Sequence, residues 1–160
     1  KGSVMRNASL NQQLQRLNHL FRETRNASQD NLEMQAHWAK YLCVLSAGFL
    51  ENALSEVYID FVRHAASVPV ANYASHVLDR IQNPQTTKFI ETARAFREDW
   101  ANELERFVDE DGRRDAINSI MSNRHLIAHG RQSGITIAWL QTWLSKSLEV
   151  VDLIENQCDR

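Results

Sequence analysis

Only two prolines and five glycines interrupt the 160 residues of this chain, and between them the apolar residues recur at intervals of three and four instead of alternating. That spacing commits the chain to helices. Leu10, Leu14, Leu17 and Phe21 mark a first amphipathic helix. A second begins near Ser28 or Asp30, either of which can cap it, and carries Trp38, Leu42, Leu45 and Phe49 onward to Phe61. Ala47-Gly48 within it predicts a close approach by another helix. Pro69 suits the first turn of a short third helix with Val70, Tyr73, Val77 and Ile81 inward, and Asn83-Pro84 predicts a turn. The stripe Phe89, Ala93, Phe96, Trp100, Leu104 and Phe107 covers one or two helices up to the Asp109-Glu110-Asp111-Gly112 turn. A penultimate helix runs from about Arg113 to His129, with Gly130 as the left-handed residue beyond it. Thr136 caps the last helix, Ile135 staples onto Leu140, and Leu140, Leu144, Leu148, Val151 and Ile154 face inward. There are no repeats, and strand-like alternation is confined to Ile135 to Ile137. The expected architecture is an all-α, mostly antiparallel helical bundle.

A chain of this length supports one domain with a full hydrophobic core. The formal net charge of −2 excludes nucleic-acid binding by bulk charge, though not by a local basic patch. Acids dominate from Glu98 to Asp111, and bases dominate from Gly112 to Arg131. A phosphate would approach the second segment. Cys43 and Cys158 have no CxxC spacing, which argues against a disulfide framework or zinc ribbon and for a reducing cytoplasm. No apolar run approaches the roughly 18 residues that suggest a membrane span, and the start has no signal-peptide core. The Asn7-Ala8-Ser9 and Asn26-Ala27-Ser28 sequons read as chance matches, and Lys1-Gly2-Ser3 as a tag remnant.

One stretch breaks the pattern: "NRHLIAHGR", Asn123 to Arg131. With Ile117 at zero and about 100° per residue, Ile117, Ile120, Met121, Ile127 and Ala128 share a face, and Arg124 falls near its centre. A guanidinium there must meet a carboxylate, line a cleft or face a partner subunit, because an unpaired buried charge is costly. His125 and His129 lie one turn apart and stack along one flank, while Leu126 points the opposite way, as a helix covered on two sides by homodimer formation would have it. A structural reading pairs Arg124 with Glu51 and leaves the histidines as a polar helix end near the carbonyl dipole. A metal reading uses the i, i+4 spacing of the histidines, but the glutamate of HExxH and a third ligand are missing.

The segment Asn123-Arg124-His125-Leu126-Ile127-Ala128-His129-Gly130 resembles the signature of the HEPN superfamily. The segments Trp38 to Val62, Asn83 to Trp100 and Gly134 to Glu155 are similar to its RiboL-PSP branch, so the resemblance spans about Gln35 to Glu155. Residues 1–27 stand before it as an N-terminal extension and helix, with 28–160 as the HEPN-like domain. The resemblance implies a bundle that dimerises around the motif helix and, in many members, metal-independent endoribonuclease activity in toxins and antiviral defence, with no cofactor. It further implies that Arg124 holds the scissile phosphate and that His129 is the main acid or base, the helix C-terminus favouring its protonated, acid form. His125 would assist or orient, and Asn123 and Glu51 would support. RNA is the implied partner, with an antitoxin or regulator as a further candidate and no membrane. A catalytically inactive HEPN module binding RNA, nucleotide or protein is the alternative. In HEPN toxins silenced by nucleotidylation a tyrosine lies two residues beyond the motif histidine; here that position is Arg131, which argues against that control. Arg131, Arg113 and Arg114 are instead candidates for the RNA backbone. Trp139 and Trp143 could stack bases, but beside Leu140 and Leu144 they are expected in the core or an interface.

Overall fold

In the computed structural model, which describes residues 4–160, seven helices and no strand form among the described residues. Lys1-Gly2-Ser3 lies outside the described residues. The helices are α1 (Ala8–Ala27), α2 (Leu32–Ala65), α3 (Val68–Leu78), α4 (Thr86–Phe96), α5 (Glu98–Val108), α6 (Arg113–Ala128) and α7 (Ile137–Cys158). Short polar side chains start three of them by accepting a backbone N–H that the helix cannot use. Asn7 accepts from Leu10 at 2.9 Å, Asn31 from Met34 at 2.9 Å, and Thr136 from Trp139 at 3.2 Å. The cap of α2 is therefore Asn31, neither Ser28 nor Asp30. Ser28 is spent closing α1, where both its N–H and its hydroxyl donate to the Thr24 carbonyl.

The centre of the bundle is α2, which packs against α1, α3, α6 and α7. Leu42, Leu50, Leu54, Tyr58 and Ile59 are all fully enclosed. Tyr58 stacks on Phe96 at 4.8 Å, and Phe61 meets Phe96 and Trp100 edge to face. Burial of most of its surface explains why α2 is long and apolar enough, by length and composition, to cross a membrane: 67% of that apolar window is buried inside the bundle. Removing the Leu50 side chain tests this packing. Leu50→Ala should lower unfolding stability by about 2–5 kcal/mol in a denaturant titration, and a loss under about 1 kcal/mol would contradict it.

Two expectations about packing do not hold. In α3 the inward residues are Ala71 and Leu78, whereas Val70, Tyr73 and Val77 are 56%, 73% and 49% exposed. Both flanks of α3 carry apolar residues. The smaller one is buried, and at the end of α3 Ser55 of α2 donates to the Leu78 carbonyl at 3.0 Å. At Gly48 an added Cβ would meet nothing within 4 Å, so no neighbouring backbone comes close there. It borders an open groove between α1 and α2.

The stripe from Phe89 to Phe107 is divided by Arg97, whose extended backbone (φ −154°, ψ 131°) ends α4 and starts α5 while leaving the inward phase intact. The core also continues across residues 27 and 28, where the N-terminal segment was expected to end. Leu10, Leu14, Leu17 and Phe21 of α1 share one core with α2 and α7. Glu155 of α7 accepts the backbone N–H groups of Arg6 and Asn7, fastening the start of α1 to the bundle.

Candidate functional site

The two ends of α6 have different occupations. At its start Gly112 adopts the left-handed φ of 70° that ends the preceding turn. Arg113 is buried there: its guanidinium donates to Glu149 at 2.7 Å, to Asp111 at 3.0 Å and to the Phe107 carbonyl at 3.1 Å, and lies 3.9 Å from the Phe107 ring centroid. Arg114 pairs with Asp109 at 2.6 Å. Both arginines thus tie α6 to the α5 turn, and Arg113 also ties it to α7. At about 1.5 Å of rise per residue they are roughly 15–25 Å from the motif along the helix. The structure does not bring them together with Arg131, and their partners are Asp109 and Asp111 of the preceding acidic segment and Glu149 of α7.

At its other end α6 finishes in a Schellman arrangement. Gly130, at φ 65°, donates its N–H to the Ile127 carbonyl at 3.1 Å, and Arg131 donates to that of Leu126 at 2.9 Å. This closure leaves His129 at the capping position, exposed, with its ring 4.4 Å from that of His125 and tilted by 59°. The imidazoles are neighbours, as the four-residue spacing requires, but they are tilted and do not stack face to face. Arg124 is half-buried one residue before His125 and makes no hydrogen bond or ion pair among the described residues. Glu51, the acid expected to neutralise it, instead accepts the backbone N–H of Asn83 in the α3–α4 turn. The structural pairing of Arg124 with Glu51 is therefore absent.

Asn123 has a definite task. Its amide donates to the Ser119 carbonyl at 2.8 Å, and its oxygen accepts from the Ser133 hydroxyl at 2.7 Å, holding the 131–136 connection against α6. That connection forms no strand, and it buries Ile135 while leaving Arg131 exposed. Trp143 is half-buried against the core, but Trp139 is 60% exposed and stacks on it at 6.0 Å, so only one of the pair went inward.

Arg124, His125, His129 and Arg131 therefore stand at and just beyond the C-terminal end of α6, Arg124 half-buried and the other three exposed. Guanidinium groups can bind anions and imidazoles can transfer protons near neutral pH. No group of three His, Cys, Asp or Glu side chains gathers to form a metal site among the described residues, so the two histidines have no third ligand beside them. Nor is a thiolate at hand: burial pushes the thiols of Cys43 and Cys158 up to about 12. The half-buried Arg124 without a counter-ion is the feature that pattern alone could not establish.

Comparison with known proteins adds one positive finding. The family model described as RiboL-PSP-HEPN matches residues 8–160. The match takes in α1 as well as the helices that follow. No curated protein and no solved structure matches the chain.

Proposed function

Since this chain belongs to the RiboL-PSP-type HEPN family, we propose that it is a metal-independent endoribonuclease, working as a toxin or antiviral-defence effector in the cytoplasm. The observation that carries this reading is Arg124, a half-buried cation with no carboxylate, next to the first of two exposed imidazoles that lie 4.4 Å apart. Such a set matches what RNA cleavage without a metal demands: a base for the 2′-hydroxyl proton, an acid for the leaving oxygen, and positive charge on the phosphorane.

In the proposed step the 2′-oxygen attacks the adjacent phosphorus while an imidazole removes its proton. The bond from phosphorus to the 5′-oxygen breaks, and His129, as imidazolium, protonates that oxygen. Products are a 2′,3′-cyclic phosphate and a 5′-hydroxyl. Arg124 stabilises the charge on the non-bridging oxygens, and His125 serves as the second proton-transfer group or orients the first.

Five residues of ideal helix separate Arg124 and His129 by about 140° in azimuth, which suits a site shared between two copies better than one within a single copy. We therefore place the arginine of one protomer opposite the histidine of its partner in a homodimer cleft. Mixing tests the sharing. Arg124→Ala and His129→Ala protomers, unfolded and refolded together, should regain about a quarter of wild-type cleavage, because half the dimers are mixed and each has one intact site of two. No recovery in demonstrably mixed dimers would place both groups in one chain.

A further inference from the structure

We propose that Lys40 is a further phosphate-holding residue of this site, gripping the RNA backbone beside the scissile position; the inference rests on the ribonuclease reading above. Lys40 lies on α2, three residues before Cys43, whose sulfur sits 3.6 Å from the Ile120 carbonyl oxygen of α6. That contact sets the register of two helices running in opposite directions. Going forward along α2 from Cys43 reaches Glu51, which holds Asn83. Three residues beyond Asn83, Thr86 bonds Asn118 at 2.9 Å through its N–H and the Arg114 carbonyl at 3.1 Å through its hydroxyl, which is backward along α6 from Ile120. Going back three residues on α2, about 4.5 Å, therefore matches going forward three on α6. Lys40 comes level with Asn123, next to Arg124.

The flank follows from the same two links. Lys40 and Glu51 are eleven residues apart, about 20° off three full turns, and so share one side of α2. Asn118 and His125 are seven apart, about 20° off two turns, and share one side of α6. Because Glu51 and Asn118 are joined through the Asn83 to Thr86 turn, Lys40 and His125 lie on the same side of the helix pair. They sit farther along it, past the residues of α6 to which Thr86 bonds.

Charge makes the juxtaposition informative. Lys40 is half-buried and, like Arg124, has no hydrogen-bond or ion-pair partner among the described residues. Of the acids on that flank, Glu51 is engaged by Asn83 and Glu33 faces His37 at 3.9 Å. Two like charges on adjacent helices at one level, each partly withdrawn from water, raise the free energy of the empty protein. A polyanion between them reverses the sign. Lysine is a point charge on a flexible stem and suits a non-bridging phosphate oxygen without demanding one fixed geometry.

The test uses the full chain and a short fluorescein-labelled single-stranded RNA made 2′-O-methyl throughout, which cannot be cleaved, alongside cleavable RNA of the same sequence. Lys40→Ala should weaken binding by about three- to tenfold and reduce the slope of log affinity against log salt by about 0.7, the share of one single-strand phosphate contact. Lys40→Arg should restore both, and the rate at saturating RNA should change less than the KM. Unchanged affinity and slope in Lys40→Ala, with wild type binding and cutting normally, would overturn this inference alone. So would a loss that arginine fails to rescue and that leaves the slope intact, since that marks a packing role. A wild type that neither binds nor cuts RNA would overturn the ribonuclease reading, and this inference with it.

Discussion

His129→Ala should reduce RNA cleavage by about 10²–10⁴-fold, the contribution of a positioned proton-transfer group, while leaving the oligomeric state and the melting temperature close to those of wild type. The separation of activity from stability comes from where His129 sits. It is the exposed capping residue of α6, and the bonds that close the helix are backbone bonds from Gly130 and Arg131 to the Ile127 and Leu126 carbonyls. Alanine preserves those bonds and removes only the imidazole and its contact with His125, 4.4 Å away. Single-turnover cleavage measured with size-exclusion chromatography on the same preparation checks both halves. Cleavage within tenfold of wild type would remove His129 from the chemistry, and dissociation of the oligomer would assign it to the interface instead.

The second large effect is expected at Arg124. If its guanidinium faces the phosphorane, Arg124→Ala costs about 10²–10³-fold in the cleavage rate, as the loss of one preorganised donor to a developing oxyanion does. The same substitution separates two accounts of why an arginine stands on an apolar face. A structural arginine with a buried acid would leave that acid uncompensated when removed, at a cost of about 3–5 kcal/mol of stability. Arg124 has no such partner, because Glu51 is turned to the Asn83 N–H. Its removal relieves a partly desolvated charge, so stability should hold steady or rise. Denaturant midpoints of wild type and Arg124→Ala decide the matter: a fall of several kcal/mol with cleavage retained would identify a structural residue and contradict the proposed role.

Much of this was legible from residue spacing. The inward stripes of α1 and α7, the Thr136 cap, the left-handed Gly130 and the proximity of His125 to His129 are consequences of period and residue type within one helix. What spacing cannot supply is the identity of the neighbour. Both flanks of α3 are apolar, and which of them turns inward depends on the neighbouring helices, which spacing within α3 does not carry. Gly48 signalled a close approach that the geometry does not use. Arg113 and Arg114 looked like phosphate ligands because they cluster with Arg131 in sequence, yet one helix length divides them from it, and the acids of the preceding turn occupy them. The proposed approach of Lys40 to Arg124 spans more than eighty positions of chain and can be argued only once the Cys43 to Ile120 contact has tied α2 to α6.

The measurement closest to the central claim is cleavage of end-labelled single-stranded RNA by the purified protein in excess EDTA, with the product ends identified chemically. We expect cutting undiminished by the chelator and absent from an identically prepared His129→Ala protein, with a 2′,3′-cyclic phosphate on one fragment and a 5′-hydroxyl on the other. Tight RNA binding without turnover would instead make this a recognition module on the same fold. Cleavage abolished by EDTA, or equal in the two proteins, would contradict a metal-independent site built on Arg124 and His129.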